Sequence, residues 1–407
     1  MKGFRECVGG PGNHSGVKPE EEPTQCRDQR AFEQVSIELH LIPLDILFTS
    51  LSLQTGITLC IIRARFEELR VVAGCRLFAE TRLKMNPQTK VAIGVDIGGT
   101  KIAAGLVSAA GEILAQSRTP MISSGDAEQG LVAVSQAMES LYTKLGGRPA
   151  IETIGICAPG PLNPLTGVII NPPNLPIWQN YPLAQEIRRR FEVEAVIDND
   201  ANAAALAETI WGAGRGYRNV FYATIGTGIG TGIVFDGKIY HGKTGAAGEG
   251  GHVGIDIHGP RCNCGKRGCI ETLAAGPGIA RRARQKLSTF PNSLMKEMAN
   301  GNENALTSHI VGKAYEAGDP AAREVMAETL DMMAYWLGNI IDLLEPDVMV
   351  VGGGVSLMFA PFMEEIRERW RGACTNPAPE AIPLVPARYG EDAGIAGAAA
   401  LCWPSAH

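Results

Sequence analysis

The chain has 407 residues, 45% of them hydrophobic and 20% charged, with a formal net charge of −6 at pH 7. That length holds two or more domains with sizeable cores, and the composition is that of an ordinary globular protein. The acidic balance excludes a chain-wide electrostatic grip on nucleic acid, so no nucleic-acid partner is expected.

Residues 1–84 read as a poorly ordered N-terminal extension. No apolar signal segment follows Met1–Glu6, and a reduced, cytoplasmic setting is expected. The uncharged run ILFTSLSLQTGITLCII at 46–62 is short for a spanning helix and carries Ser, Thr, Gln and Gly, so no membrane partner is expected. The segment also lacks the two short helices with a glycine turn, and the basic stripe, that a DNA-binding repressor requires. Met85 directly precedes the first well-patterned strand, and the functional protein is expected to begin near it.

From Lys90 the pattern sharpens. VAIGVD at 91–96 is a buried strand, IGGT the glycine turn after it, KIAAGLVS at 101–108 a second strand, and AAGE at 109–112 a hairpin turn into a third. A helix follows, capped by Ser124 or Asp126, with Leu131, Val134, Met138, Leu141 and Leu145 on one stripe and Gly146–Gly147 as its stop. IETIGI at 151–156 is the next strand. VIDNDANAAALAE at 196–208 offers a strand end, an acidic turn and an Ala-rich helix, where Asp198 or Asp200 could cap the helix or act as a base.

The same pattern then recurs: strand NVFYATIG (219–226), turn TGIG (227–230), strand TGIVF (231–235), and a tight DG turn into KIYHG. Two copies imply an internal duplication, one lobe each, with a nucleotide phosphate chain gripped between the two glycine turns. A third glycine turn, GGGVS (352–356), follows strand DVMVV (347–351), and DAGIAGAAALC (392–402) reads as a small-residue helix packed closely on something.

Glycine turns admit phosphate by exposing backbone N–H groups without a side-chain clash. Two familiar nucleotide loops fail on context. GVDIGGTK at 94–101 misses the P-loop pattern and runs into a strand, and Gly226, Gly228 and Gly230 open a strand where a dinucleotide fingerprint needs a helix. The duplicated pattern instead resembles the actin-like ATPase (ribonuclease H-like) superfamily of sugar kinases, an α/β, two-lobe kinase fold with a cleft between the lobes. The resemblance implies ATP and Mg²⁺ as cofactors. It makes Asp96, Gly98, Gly99, Thr100 and Lys101 the first phosphate turn, Gly226, Thr227 and Gly228 the second, and Gly353 and Gly354 the adenosine-side turn, with Asp96 organising Mg²⁺ through water. The expected division is 87–199 plus 391–406 for a small lobe and 200–390 for a large one.

CNCGKRGCIE at 262–271 packs three cysteines into eight positions. Reduced thiols at that density point to a metal, and structural zinc takes four N or S ligands. Cys262, Cys264 and Cys269 supply three, and spacing permits either His252 or His258 as the fourth. The whole stretch GEGGHVGIDIHGPRCNCGKRGCIE (248–271) is similar to the signature of the ROK family of repressors and sugar kinases, and the resemblance covers about Val91 to Leu401. It implies His252 as the fourth ligand of a structural Zn²⁺, with Glu249, His252 and Glu271 on the sugar. It places the catalytic base on Asp200 and sugar contacts on Asn199, Asp200, Gly160 and Asn174, leaving Asp198 without a role. Pro161 departs from the family's usual valine region. A glucokinase-like, ATP-dependent hexose kinase acting as a homodimer is the implied function. N-acylhexosamine kinase is the alternative, and a sugar-responsive repressor the less favoured one.

Overall fold

The computed structural model describes residues 50–52, 58–60 and 90–403. Strands β1 (Ser50–Ser52) and β2 (Thr58–Cys60) pair antiparallel. The expected extension over 1–84 and the start near Met85 otherwise lie outside the described residues.

Residues from 90 onward build two five-stranded sheets. The first takes β3 (Val91–Ile97), β4 (Lys101–Ser108), β5 (Ile113–Pro120), β6 (Thr153–Ala158) and β9 (Glu194–Asn199) in the order 5-4-3-6-9. The second takes β10 (Asn219–Ile225), β11 (Ile229–Phe235), β12 (Lys238–Ile239), β13 (Val348–Gly352) and β14 (Leu384–Pro386) in the order 12-11-10-13-14. In both, the first three strands form an antiparallel meander and the last two join in parallel. The duplication read from the two glycine turns is therefore a duplication of the whole sheet. Strands β7 (Leu162–Asn163) and β8 (Val168–Ile169) form a small separate ribbon after a cis Gly160–Pro161 bond.

Helix α1 (Ala127–Leu145) follows its apolar stripe: Leu131, Val134, Met138 and Leu141 are buried against the first sheet. Asp126 caps it by accepting from the Gln129 N–H, and Gly146 stops it at φ +74°, a left-handed conformation that a side chain disfavours. Helix α2 (Leu183–Phe191) covers the same face. The large lobe carries α4 (Ile270–Ala274), α5 (Gly276–Lys286), α6 (Leu294–Met298), α7 (Ser308–Glu316), α8 (Pro320–Leu344) and α9 (Met363–Arg369), which share one core with β10 and β13.

Two helices cross between the lobes. Helix α3 (Asp200–Ile210) leaves the first sheet from β9 and packs on β10 and β11 of the second, while α10 (Ala393–Ala400) follows the second sheet and packs on β3, β4 and β6 of the first. The two helices also pack on each other, and ten of their fifteen buried residues are Ala or Gly. A Cβ at Gly94 or Gly155 would overlap the Ile395 or Ala398 carbonyl, and one at Gly232 would sit 2.6 Å from the Ala201 carbonyl oxygen. Gly94→Ala is therefore expected to destabilise the protein by about 1–3 kcal/mol or more, because backbone on both sides must give way. Urea unfolding measures it, and an unchanged midpoint would show that α10 is free to shift.

Several boundaries differ from the sequence reading, three of the strands by two residues or more. The strand expected at 151–156 runs Thr153–Ala158, because its C-terminal end pairs with β9 up to Asn199. Strand β11 begins at Ile229, two residues early, since Ile229 pairs with Ile225 across a tighter turn. The third strand of the second meander keeps only Lys238–Ile239, because the chain turns away at His241. Among the described residues no helix is long and apolar enough to cross a membrane.

Candidate active site

The turn after β3 closes with the Gly98 N–H on the Lys101 carbonyl at 2.9 Å and leaves Thr100 and Lys101 exposed. Gly99 lies against Asn174, where a Cβ would come within 2.9 Å of the Asn174 carbonyl oxygen. The turn after β10 closes with the Gly226 N–H on the Gly228 carbonyl at 2.9 Å and exposes Thr227. The third turn meets it: Gly353 has φ +89° and no room for a Cβ beside the Ile225 carbonyl, which also accepts the Val355 N–H at 2.9 Å. Nothing stands within 4 Å of the open side of Gly354. The N-terminus of α5 joins this corner, with the Gly276 N–H on the Gly226 carbonyl at 2.9 Å.

Asn199 and Asp200 stand at the start of α3. Asn199 Oδ1 accepts the Ala201 N–H at 2.9 Å, and its Nδ2 faces Gly160. Asp200 is reached by water on one side, yet protein crowds its remaining sides. That loss of surrounding solvent is the main reason its pKa rises to about 6. Asp96 and Glu249 add repulsion, while the Ala201 N–H pulls the other way. The Asp96 carboxyl is also pushed up by burial, against a hydrogen bond from Cys157 Sγ at 3.4 Å and the charges of Lys101 and Arg118. Asp96 and Glu249 thus both lie near enough to Asp200 for their charges to oppose its ionisation.

The cysteine loop converges as its spacing requires. The ligand atoms of His252, Cys262, Cys264 and Cys269 all lie within 4.8 Å of one another, and His258 is not among them. Cys262 Sγ is 3.5 Å from His252 Nδ1, and Cys264 Sγ is 3.6 Å from Cys269 Sγ, separations that fit a tetrahedral ion with one nitrogen and three sulfur ligands. Glu249 Oε2 is 3.9 Å from His252 Nε2. Glu271 Oε1 is 4.0 Å from His252 Nδ1, while its Oε2 accepts the Ile229 N–H of the second glycine turn at 3.0 Å.

Two residues and one contact escaped the sequence reading: Gly276 joins the second glycine turn to the corner it shares with the third, His241 bonds Asp198, and Glu271 braces the second glycine turn. The GPG at 276–278 was a signal for a helix start beside a glycine turn, but no pattern marks the partners of Glu271 or His241. A separate cavity of about 470 Å³, lined by Glu139, Tyr142, Arg148 and Arg190 among others, shares no residue with this cleft.

Comparison with known proteins matches residues 92–404 to the model of the ROK family. A glucokinase of Thermotoga maritima is 34% identical over 321 residues, covering 77% of this chain and 98% of that protein. An N-acetylmannosamine kinase of Salmonella newport is 32% identical, covering 76% and 97%. The crystal structure of a ROK family glucokinase from Streptomyces griseus in complex with glucose and AMPPNP is 32% identical, with a TM-score of 0.65, covering 76% of this chain and 98% of that one.

Proposed function

The chain belongs to the ROK family and has its actin-like, two-lobe ATPase fold, and on that footing we propose that it is an ATP-dependent sugar kinase phosphorylating a hexose, glucose first, at the 6-hydroxyl. The observation that carries this reading is the recurrence of a glycine turn after the first strand of each duplicated sheet, with Asp200, a carboxylate of raised pKa, at the start of the helix that runs from the first sheet onto the second. Asp200 takes the proton from the sugar hydroxyl as that oxygen bonds to the terminal phosphorus and the bridging P–O bond breaks. Gly98–Lys101 and Gly226–Gly228 offer N–H and hydroxyl donors to phosphate, Gly353 and Gly354 leave room for the adenosine, and Asp96 orients Mg²⁺ through water. Asn199, Asn174, Glu249, His252, Glu271 and the backbone at Gly160 receive the sugar. His252 and the three cysteines hold Zn²⁺, which closes the loop and has no open position for chemistry. A cytoplasmic homodimer belongs to the same reading.

N-acylhexosamine phosphorylation is the second reading, favoured by the similarity to an N-acetylmannosamine kinase. The two part at C2. A dense polar ring suits a sugar with every hydroxyl free, because buried donors left unpaired are costly. An N-acetyl group must find room beside Glu249 and Gly160, where the ribbon β7–β8 is met by Gly245 across the cleft. We expect glucose to give the highest kcat/KM in a coupled ADP-release screen with mannose, fructose, N-acetylglucosamine and N-acetylmannosamine. A site built to bond a hydroxyl can reject an analogue lacking it by ~10⁴-fold or more. An N-acetylhexosamine outperforming glucose would install the second reading. A screen with no active sugar would overturn both.

A further inference from the structure

His241 belongs to none of the sugar, nucleotide or metal groups above, and Asp198 carries no role in them. The structure joins the two. Asp198 lies near the end of β9 in the small lobe and is 3% exposed. Its carboxylate accepts the Asn199 N–H at 2.7 Å, Asn202 Nδ2 at 3.0 Å and His241 Nε2 at 2.5 Å. His241 comes from the large lobe, two residues past β12, at the head of the segment that ends in Glu249. That segment folds on itself, with the Ala247 N–H on the His241 carbonyl at 3.1 Å. It meets the small lobe again at Gly245, where a Cβ would lie 2.8 Å from Pro164 Cδ. Its far end is tied to the large-lobe sheet by Thr231, whose hydroxyl donates to the Gly248 carbonyl and accepts the Gly250 N–H at 2.7 Å. Glu249 therefore hangs between two anchors, one on its own sheet and one on the strand whose next two residues are Asn199 and Asp200.

We infer that His241 is a positioning residue: through Asp198 it fixes the Glu249 segment against the Asn199–Asp200 pair, so that sugar and base meet in one register. The inference rests on the sugar-kinase reading of this cleft. A carboxylate as buried as Asp198 needs its partners. Taking away the imidazole leaves it two neutral donors and cuts the polar link across the cleft. The Asp198 carboxylate also holds the His241 imidazole above its usual pKa, which favours the charged, tighter form of the pair.

Steady-state kinetics of His241→Ala, His241→Arg and Asp198→Asn, varying glucose and ATP separately, test it alongside amide hydrogen exchange. His241→Ala should lose on the order of 10²-fold in kcat/KM for glucose, as a misplacement of about 1 Å can cost, with the KM for ATP unchanged. His241→Arg, which keeps a cation and N–H donors, should recover most of the loss. Adding Asp198→Asn to His241→Ala should cost little more, since the link is already cut. Exchange over residues 241–249, which needs no turnover, should rise in His241→Ala. Unaltered glucose kinetics and unaltered exchange in that variant would overturn the inference, as would a KM for ATP raised as much as the KM for glucose. Should the unmodified protein phosphorylate no hexose, the kinase reading fails, and the exchange experiment alone decides whether the link exists.

Discussion

Asp200→Asn should lower kcat for hexose phosphorylation by about 10²–10⁴-fold, the usual range for a lost general base, while glucose still binds. The substitution keeps the side chain's shape and its place in the first turn of α3, so Asn199 still caps the helix through the Ala201 N–H. Only the proton acceptor is gone. The pH profile gives an independent check. A base must be ionised to work, and the Asp200 pKa is pushed up to about 6, mainly because protein crowds the carboxylate on all but its open side and then through repulsion from Asp96 and Glu249. Activity should therefore hold above that value and fall tenfold per unit as pH drops below it, a limb far higher than an ordinary aspartate gives. Isothermal titration with glucose and stopped-flow turnover separate binding from chemistry. A variant that turns over normally would transfer the base role to another carboxylate, Asp198 being the nearest in sequence.

Cys264→Ser should remove zinc and sugar binding together. The unmodified protein is expected to carry about one zinc per chain by elemental analysis, held by His252, Cys262, Cys264 and Cys269. The segment 248–271 has few apolar side chains and many glycines, so little besides the ion can order it. His252 links the cluster to Glu249 and Glu271, and losing their placement should weaken glucose binding on the order of 10²-fold. The effect should reach the nucleotide side too. Glu271 holds the Ile229 N–H at the end of the second glycine turn, so the KM for ATP should rise in the zinc-free variant. Full zinc content in Cys264→Ser, or unchanged sugar affinity without zinc, would remove the cysteine loop from the active-site argument.

Local chemistry was legible where one segment carries the whole signal. The stripe Leu131, Val134, Met138 and Leu141 with Asp126 and Gly146 marked α1 almost to the residue, because caps and periodicity are both local. The four-ligand cluster was legible down to a choice between two histidines, which the resemblance resolved toward His252. What escaped was made by contacts distant in sequence. Asp198 reads as a helix cap until His241, 43 positions on, is brought to it. Glu271 reads as a sugar ligand alone until Ile229, 42 positions back, is seen beneath it. The start of β11 was misplaced for the same reason: TGIG looks like loop from its glycines, but Ile229 is paired on one side and braced on the other.

The crossing of α3 and α10 sets an order on biosynthesis. The first sheet is complete once Asn199 has left the ribosome, and α1 and α2 can cover one face at once. Its other face, lined by Ala92, Ala103 and Val107, is covered partly by Leu206, Ala207 and Trp211 and otherwise by residues 395–400 at the far end of the chain. Gly94 and Gly155 leave a groove there that only a backbone so close can fill. Throughout translation of the large lobe, some 200 residues at about 5–20 per second, that apolar groove stays open. The nascent chain thus spends on the order of ten seconds or more with that groove of its first sheet unsealed, a window in which a chaperone that shields small-residue surfaces would have access to it.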